Sequence, residues 1–505
     1  MRQPRPGFVL VLVVVVFSAA LVGLSQLSPA AVAIEPAAGG RVPVSSAVLV
    51  CPDASAPGDG STTVVTAVAP RLGTMSAADG QPLTVGPLDP DASSLASVDT
   101  RGPTATVIVA GTDGAESMPL AARASGALAV GLGATQVMTV AGGEVTGVAA
   151  AACGPPSTEA WFTGLGTELG HRPRLSLVNP EQTAAEADVI LYGPDGLMEA
   201  PALLDVVVPP RGSVAFELDA VAPDLEQLAV EVRVQIGRVQ AGIRDARVDG
   251  LDSLGVDWVP SSVPPSTRTI VPGVSGGSGP RLLHVLAPGD LDTRVQLRLL
   301  TATGAITPSG VEEIEVPAGT VRSVDLAELT GGAASAVELT SDQPVVAGVR
   351  VVSDASTPQE MAYTAGAAPL DGPAVATDVR AGDGWTGRLV LSATEGGEGR
   401  ADPAATAIVR LEYIDAETGE EIATDIVRVP AGSTVDVALT PDGVPERFTL
   451  AVTPIEGVAY AAIQLGRSGA PDAGFALLPL VAPQLEVEVP RVRHDLSTGL
   501  RPLAR

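Results

Sequence analysis

The chain is long, acidic and poor in aromatic residues. It has 505 residues, with 30 Lys and Arg against 58 Asp and Glu, a formal net charge of −28 and 3% aromatic residues. This charge balance argues against nucleic acid as a partner, because nucleic-acid binding requires a basic patch. The length predicts three to five domains, and short apolar strands between Gly- and Pro-rich turns predict an all-β fold.

The first 33 residues have the pattern of a signal peptide or a signal anchor. Arg2 and Arg5 precede an apolar stretch at 7–24, and residues 31–33 read Ala-Val-Ala, a possible cleavage site. The stretch is long for a signal peptide and short for a spanning helix, so both outcomes stay open. Either outcome predicts an extracytoplasmic protein, secreted or anchored, and the membrane is a partner only if the segment stays uncleaved.

The next segment, 34–160, is predicted to be a β domain that carries both cysteines of the chain. Cys51 and Cys153 lie near its two ends, and a pair of cysteines in an exported protein most simply forms a disulfide. A metal pair or a reactive thiol is the alternative, and the absence of a neighbouring histidine disfavours it. We align residues 50–52 of this domain with residues 178–180 of the following one.

Three similar units follow the first domain. They begin at Arg174, Arg281 and Gly387, which are 107 and 106 residues apart (281 − 174 and 387 − 281). This spacing is typical of an immunoglobulin-like sandwich and too long for a solenoid repeat or a propeller blade. We therefore predict tandem Ig-like β-sandwich domains. The predicted boundaries are 161–272, 273–375 and 376–482, followed by a C-terminal strand and tail at 483–505.

A turn motif recurs in each of the three units. It reads Val-Pro-Ala-Gly-Thr at 316–320 and Val-Pro-Ala-Gly-Ser at 429–433, with the looser Val-Pro-Pro-Arg-Gly-Ser at 208–213. Proline fixes φ and glycine tolerates positive φ, so the motif predicts a hairpin between two neighbouring strands. A second recurring feature is a small residue in the last long strand of each unit, at Gly242, Gly348 and Ala462. It predicts close packing against a neighbouring strand or a bulge.

The chain resembles a family of exported actinobacterial proteins of unknown function. The resemblance lies in the Cys-Pro and Ala-Ala-Ala-Cys-Gly-Pro pair, the Ala-Trp-Phe-Thr-Gly step, the Leu-Val-Asn-Pro strand and the Val-Pro-Ala-Gly-Thr turn. It covers residues 48–465. The resemblance implies a cell-envelope location and no assigned activity, and it brings no functional residues with it.

Possible catalytic and metal-binding patterns are weak. Residues 273–277 match the spacing G-x-S-x-G, but they fall in a Gly-, Ser- and Pro-rich linker rather than between a strand and a helix. The histidines, His171, His284 and His494, lie far apart in sequence, so neither a triad nor a metal site is expected from them. Acidic pairs at 89 and 91 and at 290 and 292, and the trio at 249, 252 and 257, lack the calcium-loop pattern.

These patterns predict a non-enzymatic protein with no cofactor. We predict a structural or interaction protein of the cell envelope, a spacer or adaptor, whose partner is an envelope protein or a glycan. The alternative is a carbohydrate-binding protein that recognises cell-wall glycans. Three aromatic residues distinguish these two hypotheses: Trp161, Phe162 and Trp385. Exposed aromatic rings stack on sugars, whereas buried ones fill domain junctions.

Overall fold

A computed structural model describes residues 40–489 of the chain. It leaves out 56–57, 59, 72–80, 113–116, 143–144, 354–358, 396–405, 441–442 and 470–472 within that range. The predicted signal segment and His494 therefore lie outside the described residues. Among the residues that are described, no helix is both long enough and apolar enough to cross a membrane.

The described residues fall into two compact units, and the fold is all-β as predicted. The smaller unit contains an antiparallel pair, β1 (Gly40–Pro43) and β35 (Glu486–Val489), in which Gly40 lies opposite Val489. The larger unit spans Val44–Leu485, and its described strands form four sandwiches in chain order.

Eight strands form the first sandwich and nine form the second. The first contains β2 (Ser46–Cys51), β3 (Thr62–Val68), β4 (Leu83–Pro87), β5 (Ala96–Val98), β6 (Thr104–Ala110), β7 (Leu120–Ser125), β8 (Gly133–Val140) and β9 (Gly147–Ala152), with a 3-10 turn at Gly126–Ala129. The second contains β10 (Glu159–Leu165), β11 (Arg174–Asn179), β12 (Ala185–Gly193), β13 (Gly196–Leu197), β14 (Val206–Val208), β15 (Gly212–Glu217), β16 (Leu228–Ile236), β17 (Gln240–Asp249) and β18 (Asp252–Val259), with short helices at Pro201–Leu203 and Leu218–Val221.

The third and fourth sandwiches repeat the same series. The third contains β19 (Ser266–Val274), β20 (Arg281–Leu286), β21 (Thr293–Thr301), β22 (Gly304–Ile306), β23 (Glu313–Val316), β24 (Val321–Asp325), β25 (Ser335–Val352) and β26 (Met361–Ala365), with one helical turn at Ala327–Thr330. The fourth contains β27 (Ala374–Arg380), β28 (Trp385–Ala393), β29 (Ala407–Asp415), β30 (Glu421–Val429), β31 (Ser433–Ala438), β32 (Arg447–Glu456), β33 (Ala459–Arg467) and β34 (Gly474–Pro479). The predicted boundaries at 161, 273 and 376 fall inside β10, β19 and β27.

One strand order describes all four sandwiches. If the strand positions are numbered one to eight along the chain, one sheet has the order 1-6-3-4 and the other 5-2-7-8. Position 4 is split into two short strands in the second and third sandwiches, and β25 supplies positions 6 and 7 of the third as one long strand. Each sandwich has an apolar core between its sheets.

This order keeps part of the immunoglobulin arrangement. As in immunoglobulin domains, position 2 pairs with position 5, and position 3 pairs with position 6. The first and seventh strands have exchanged sheets, because position 1 lies beside position 6 and position 7 beside position 2. The prediction of an all-β sandwich fold is confirmed. The exchange of the first and seventh strands between sheets is not encoded in the repeat spacing of 106–107 residues.

The first domain obeys the same order, but our alignment of it is wrong by one strand. We aligned Cys51 with Asn179, which would make β2 equivalent to β11. In the structure β2 occupies position 1 and is equivalent to β10, while β3 is equivalent to β11. The short apolar strands of this domain look alike in sequence, so pairing partners rather than composition decide the register.

The disulfide is confirmed. Cys51 at the end of β2 and Cys153 just after β9 are bonded, with Cα atoms 4.4 Å apart and a sequence separation of 102 residues. It joins the first and last strands of the first sandwich. On the chain-entropy model a loop of this length contributes about 4–5 kcal/mol of stability.

The recurring turn is a corner between two sheets, not a hairpin. β23 and β24 flank the turn at 316–320, yet β23 pairs with β21 in one sheet and β24 with β20 in the other. The turn at 429–433 likewise joins β30 and β31, which belong to different sheets. The turn residues determine where the chain reverses. The pairing of the flanking strands is determined instead by which of their faces is buried.

Four sandwiches in the larger unit form a closed cycle of contacts. The position-1 strands of the second and third sandwiches, β10 and β19, pack on the position-2 and position-7 strands of the next, and β27 of the fourth packs on β3 and β8 of the first. Between the first and second sandwiches, Val50 of β2 lies in one apolar cluster with Val178 of β11. The last strands, β9, β18, β26 and β34, contact one another in the same cyclic order. We call the place where these four strands meet the central junction.

The small residues at position 7 are explained by this packing. A side chain at Gly242 would collide with Pro52, which follows β2, and one at Gly348 would collide with Thr163 in β10. Ala462 lies directly against Gly273 in β19. The predicted close approach is confirmed, and the neighbour in each case belongs to the preceding sandwich.

Candidate functional site

A single buried carboxylate occupies the central junction. Asp257 in β18 is fully buried, and its Oδ1 and Oδ2 accept hydrogen bonds from the N–H groups of Ala150 (3.0 Å) and Tyr363 (3.2 Å). The N–H groups of Trp258 and Leu477 also favour its ionised form, so backbone N–H groups of all four sandwiches lie near this carboxylate. Burial is the larger effect and raises the pKa of Asp257 well above its ordinary value.

A second carboxyl group lies beside it. Glu360 precedes β26 and is 2% exposed. The neighbouring inner strands have glycine at the points nearest to Glu360, where a side chain at Gly147, Gly255 or Gly474 would collide with this residue. Burial and the charge of Asp257 raise the pKa of Glu360. The Val148 N–H opposes this shift but makes no well-formed hydrogen bond to either carboxyl oxygen.

A polar cluster extends from the central junction into the contact between the second and third sandwiches. We define it as His171, Asp245, His284, Arg350 and Tyr363, each of which is at most 5% exposed. The Tyr363 hydroxyl donates to Asp245 Oδ2 at 2.5 Å, and His171 Nδ1 lies 3.4 Å from the same oxygen. Tyr363 therefore contacts Asp257 through its backbone and Asp245 through its side chain.

Burial within the polar cluster keeps two of its side chains, His284 and Tyr363, uncharged. Burial, and then the charges of Arg350 and His171, lower the pKa of His284 to about 3. Burial and Asp245 raise the pKa of the Tyr363 hydroxyl, and Arg350 partly opposes that shift. His284 and Tyr363 are therefore neutral at physiological pH, which avoids the desolvation of further buried charges.

The polar cluster lies buried in the contact between two sandwiches. The side chains of the polar cluster are closed off from solvent, so a substrate cannot reach them in this conformation. Within the described ranges, no three His, Cys, Asp or Glu side chains are grouped so as to hold a metal ion. What the cluster does is join β17 and β18 of one sandwich to β20, β25 and β26 of the next.

The three aromatic residues singled out from the sequence occupy different environments. Trp161 is 5% exposed and stacks on Tyr192 at 6.3 Å between ring centroids, in an apolar contact with Leu286 of the third sandwich. Phe162 is buried in the core of the second sandwich. Trp385 is half-buried, with the guanidinium groups of Arg380 and Arg467 at 4.6 and 5.1 Å from its ring.

The three groups of acidic residues singled out from the sequence also lie in different parts of the larger unit. Asp89 and Asp91 both pair with Arg211 of the second sandwich, at 2.6 and 3.3 Å. Asp292 accepts a hydrogen bond from the Ala318 N–H at 2.9 Å and so supports the corner at 316–320. In the third group, residues 249 and 252 lie at the exposed β17–β18 turn whereas Asp257 lies at the central junction.

Sequence reasoning missed the polar cluster. His171 and His284 are 113 residues apart (284 − 171) and belong to different repeats, yet each contributes to the same buried contact. One signal was present in the sequence. Asp257 interrupts an apolar strand whose counterparts in the other repeats, at 148–151, 361–365 and 475–478, carry no charge. An unpaired charge in a buried strand requires partners, and those partners come from other repeats.

Comparison with protein families gives one finding. A family model described as a family of unknown function (DUF5719) matches residues 108–440, about two thirds of the 505-residue chain. The matched range begins within β6 and ends just after β31. It therefore includes all five residues of the polar cluster. No curated protein matches the chain.

Proposed function

We propose that this chain, which belongs to the DUF5719 family of unknown function, is a non-enzymatic interaction protein of the cell envelope. The N-terminal pattern of basic and apolar residues supports export. The Cys51–Cys153 disulfide is compatible with an extracytoplasmic location, since such bonds persist in oxidising compartments. The actinobacterial origin implied by the resemblance remains a prediction.

The observation that carries the proposal is the contrast between the inside and the outside of the larger unit. The polar cluster, Asp257 and Glu360 are enclosed between sandwiches, whereas apolar side chains lie exposed on strands at sheet edges. Ile108 in β6 is 65% exposed, Val207 in β14 is 60% exposed and Ile426 in β30 is 46% exposed. Exposed apolar groups favour contact with another macromolecule.

An adaptor suits this arrangement better than a spacer. A spacer would separate two points by a row of domains, whereas the four sandwiches return to their starting point through the contact of the fourth with the first. The central junction and the polar cluster restrain relative movement of the sandwiches, and the disulfide restrains the first sandwich internally. A restrained framework presents its exposed edges at fixed positions, which favours binding.

The carbohydrate-binding alternative receives no specific support. Trp161 and Phe162 are buried, so neither ring can stack on a sugar without movement of two sandwiches. Both guanidinium groups beside Trp385 compete with a sugar for the faces of its ring. We therefore keep the interaction protein as the proposed function.

Site-specific photo-crosslinking in intact cells tests the proposal. We expect a crosslinker at Ile108 or Val207 to capture an envelope protein, because these exposed apolar side chains lie on strands at sheet edges, whereas the control position lies in a turn. Leu251 at the β17–β18 turn, which is 100% exposed, is the control for non-specific capture. Capture of cytosolic proteins, or equal capture of every neighbour at all three positions, would contradict an envelope adaptor. So would alkylation of Cys51 without prior reduction.

A further inference from the structure

The smaller unit brings two distant parts of the sequence together. β1 and β35 run antiparallel, with Gly40 opposite Val489 and Pro43 opposite Glu486. Residues 34–39 connect β1 to the predicted signal segment, and residues 490–505 follow β35. The two connecting segments therefore leave the β1–β35 ribbon at the same end, where Gly40 and Val489 are paired.

This ribbon has one apolar face. Side chains alternate between the faces of a strand, so Val42, Val487 and Val489 share one face, whereas Arg41 and Glu488 lie opposite each other on the other face. Val42 and Val489 are 42% and 45% exposed. A two-stranded ribbon is only marginally stable alone in water, so burial of its valine face against an apolar surface would stabilise it.

The segment that follows β35 is basic. Residues 490–505 contain one acid, Asp495, and four arginines, which gives a side-chain charge of +3 (four minus one) in a chain whose net charge is −28. The arginines are Arg491, Arg493, Arg501 and Arg505. They lie outside the described residues, and only their charge and chain position are used here. A basic residue close to an anionic membrane surface raises the affinity for that surface roughly fivefold.

The arginines can reach the bilayer that would hold the predicted signal segment. Fifteen residues (39 − 24) separate its apolar stretch from β1, and sixteen (505 − 489) follow β35. Fully extended, segments of these lengths span about 50–60 Å each. In a chain that retains residues 1–33, the segment that follows β35 is therefore long enough to return to the membrane surface.

We propose that the β1–β35 ribbon and the arginines of residues 490–505 bind the surface of a bilayer that contains anionic lipids. The arginines bind headgroup phosphates, and the valine face contacts the apolar boundary beneath them. A bilayer fits these observations better than a soluble acidic polymer, which would engage the arginines and leave the valine face in water. The inference rests on the exported location in the proposed function and on retention of residues 1–33.

Quenching by lipid of a fluorophore in the full-length chain tests the proposal. Ser497→Cys accepts a bimane label in the basic segment, while the disulfide keeps Cys51 and Cys153 unreactive. The chain is reconstituted with a nitroxide-labelled lipid in vesicles of phosphatidylcholine and phosphatidylglycerol in equal parts, or of phosphatidylcholine alone. We expect quenching in the anionic vesicles, and its loss in the neutral vesicles and at high salt, because salt screens the attraction.

Removal of two arginines measures the contribution of charge. Arg491→Gln with Arg493→Gln should lower the ratio of lipid-bound to free label about thirtyfold, which is roughly fivefold for each residue. Arg410→Gln with Arg428→Gln is the matched control. It removes the same charge from exposed positions on β29 and β30 and should leave the ratio within about twofold of wild type. Circular dichroism confirms that each variant is folded.

Labels at two neighbouring positions test the valine face. A label at Val489→Cys lies on that face and should be quenched by lipid at least about threefold more than one at Glu488→Cys, which lies on the other face. The change at Glu488 removes a negative charge and would itself favour an anionic surface, so weaker quenching there is a strict comparison. Equal quenching at the two positions overturns the contact proposed for the valine face.

Several results would overturn the binding of the arginines. They are an absence of quenching at position 497 in anionic vesicles, equal quenching in both kinds of vesicle, and an equal loss in the two double variants. Binding to soluble polyglutamate without quenching by lipid would assign the basic segment to an acidic polymer instead. These measurements use purified protein and vesicles, so their failure is distinguishable from a failure to capture an envelope protein at Ile108 or Val207.

Discussion

At the scale of single residues, buried carboxyl groups organise the larger unit. Asp257 accepts hydrogen bonds from strands of different sandwiches. Its carboxylate thus supplies the acceptors that these backbone N–H groups do not find on a neighbouring strand. Glu360 lies beside it without comparable donors. Burial disfavours ionisation of both carboxyl groups, but Asp257 accepts hydrogen bonds from backbone N–H groups and the Glu360 carboxyl oxygens accept none.

Replacing Glu360 by Gln should stabilise the protein at neutral and alkaline pH. The raised pKa of Glu360 means that the folded state keeps this proton above pH 4.5, the ordinary value at which the unfolded chain releases it. Its contribution to stability is complete below that pH and is lost as pH rises through the raised pKa. Glu360→Gln keeps the neutral shape, so we expect a gain in the free energy of unfolding of about 1–3 kcal/mol at high pH.

The measurement is urea denaturation of Glu360→Gln and wild type between pH 4 and 9. The difference should be small at pH 4 and grow with pH. Glu315→Gln, whose side chain is 79% exposed, is the control and should show no such trend. A variant that is less stable than wild type at every pH would mean that the ionised Glu360 carboxylate is needed in the folded state.

Tyr363 and Asp245 should prove energetically coupled. Tyr363→Phe removes the hydroxyl that donates to Asp245 and leaves a buried carboxylate with one partner fewer. We expect a loss of about 1–3 kcal/mol in the free energy of unfolding. A double-mutant cycle with Asp245→Asn measures the coupling, and Tyr192→Phe, which removes a hydroxyl bonded to Glu231 within one sandwich, is the comparison. Additive losses from the two changes would contradict a direct interaction.

At the scale of elements, the recurring corner shows what turn chemistry does and does not determine. Thr320 donates its N–H to Pro317 O at 3.2 Å, and Ser433 donates to Pro430 O at 3.1 Å, so each corner is a four-residue turn that begins at proline. Gly319 has φ of 69°, and Arg211 has φ of 50° in the looser copy. Arg211 adopts this unfavourable backbone where its side chain reaches Asp89 and Asp91 of the first sandwich.

Gly319→Ala should destabilise the protein through backbone strain alone. Positive φ is disfavoured for any residue with a Cβ, by about 1–2 kcal/mol, and the space around Gly319 is open enough for a methyl group. Gly289→Ala is the control, because Gly289 is exposed, has no neighbouring atom that a methyl group would meet and does not require positive φ. Chemical denaturation should show a lower midpoint for Gly319→Ala only. Equal midpoints for the two variants would contradict the strain argument.

At the scale of the whole larger unit, the contact between the fourth and first sandwiches closes the cycle. Thr104 donates its N–H and its hydroxyl to Ala416 O, both at 2.9 Å, and the Thr377 hydroxyl donates to Thr66 O at 2.8 Å. Gly102 and Gly419 lie in direct backbone contact. These bonds join residues more than 300 positions apart in the chain, so closure depends on the last sandwich meeting the first.

Gly419→Ala should weaken this closure. A methyl group there would collide with the backbone of Gly102, in addition to the strain of a positive φ of 68°. Gly443→Ala is the matched control, since Gly443 has φ of 81° and open space around it. We expect Gly419→Ala to lose about 1–3 kcal/mol more than the control and to broaden the calorimetric transition, because the fourth sandwich then unfolds less cooperatively. A transition as sharp and as stable as that of Gly443→Ala would contradict this.

The sequence by itself determined the class of fold, the repeat and the disulfide, for local reasons. Alternating apolar residues and regular turn signals specify strands, a spacing of 106–107 residues specifies the size of a sandwich, and the chain offers Cys51 no other cysteine than Cys153. The small residues at 242, 348 and 462 also predicted close packing, because a small side chain is visible in the sequence even when the neighbour that requires it is unknown.

Only the tertiary structure decided which strands pair and which side chains meet. The exchange of the first and seventh strands, the corner at 316–320 and the closed cycle all depend on faces buried between distant segments, and no local pattern encodes them. His171 and Asp245 of the second sandwich come to lie beside Tyr363 of the third for the same reason, since this contact exists only once the two sandwiches pack. Burial then lowers the pKa of His284 and raises that of Tyr363, which sequence spacing cannot do.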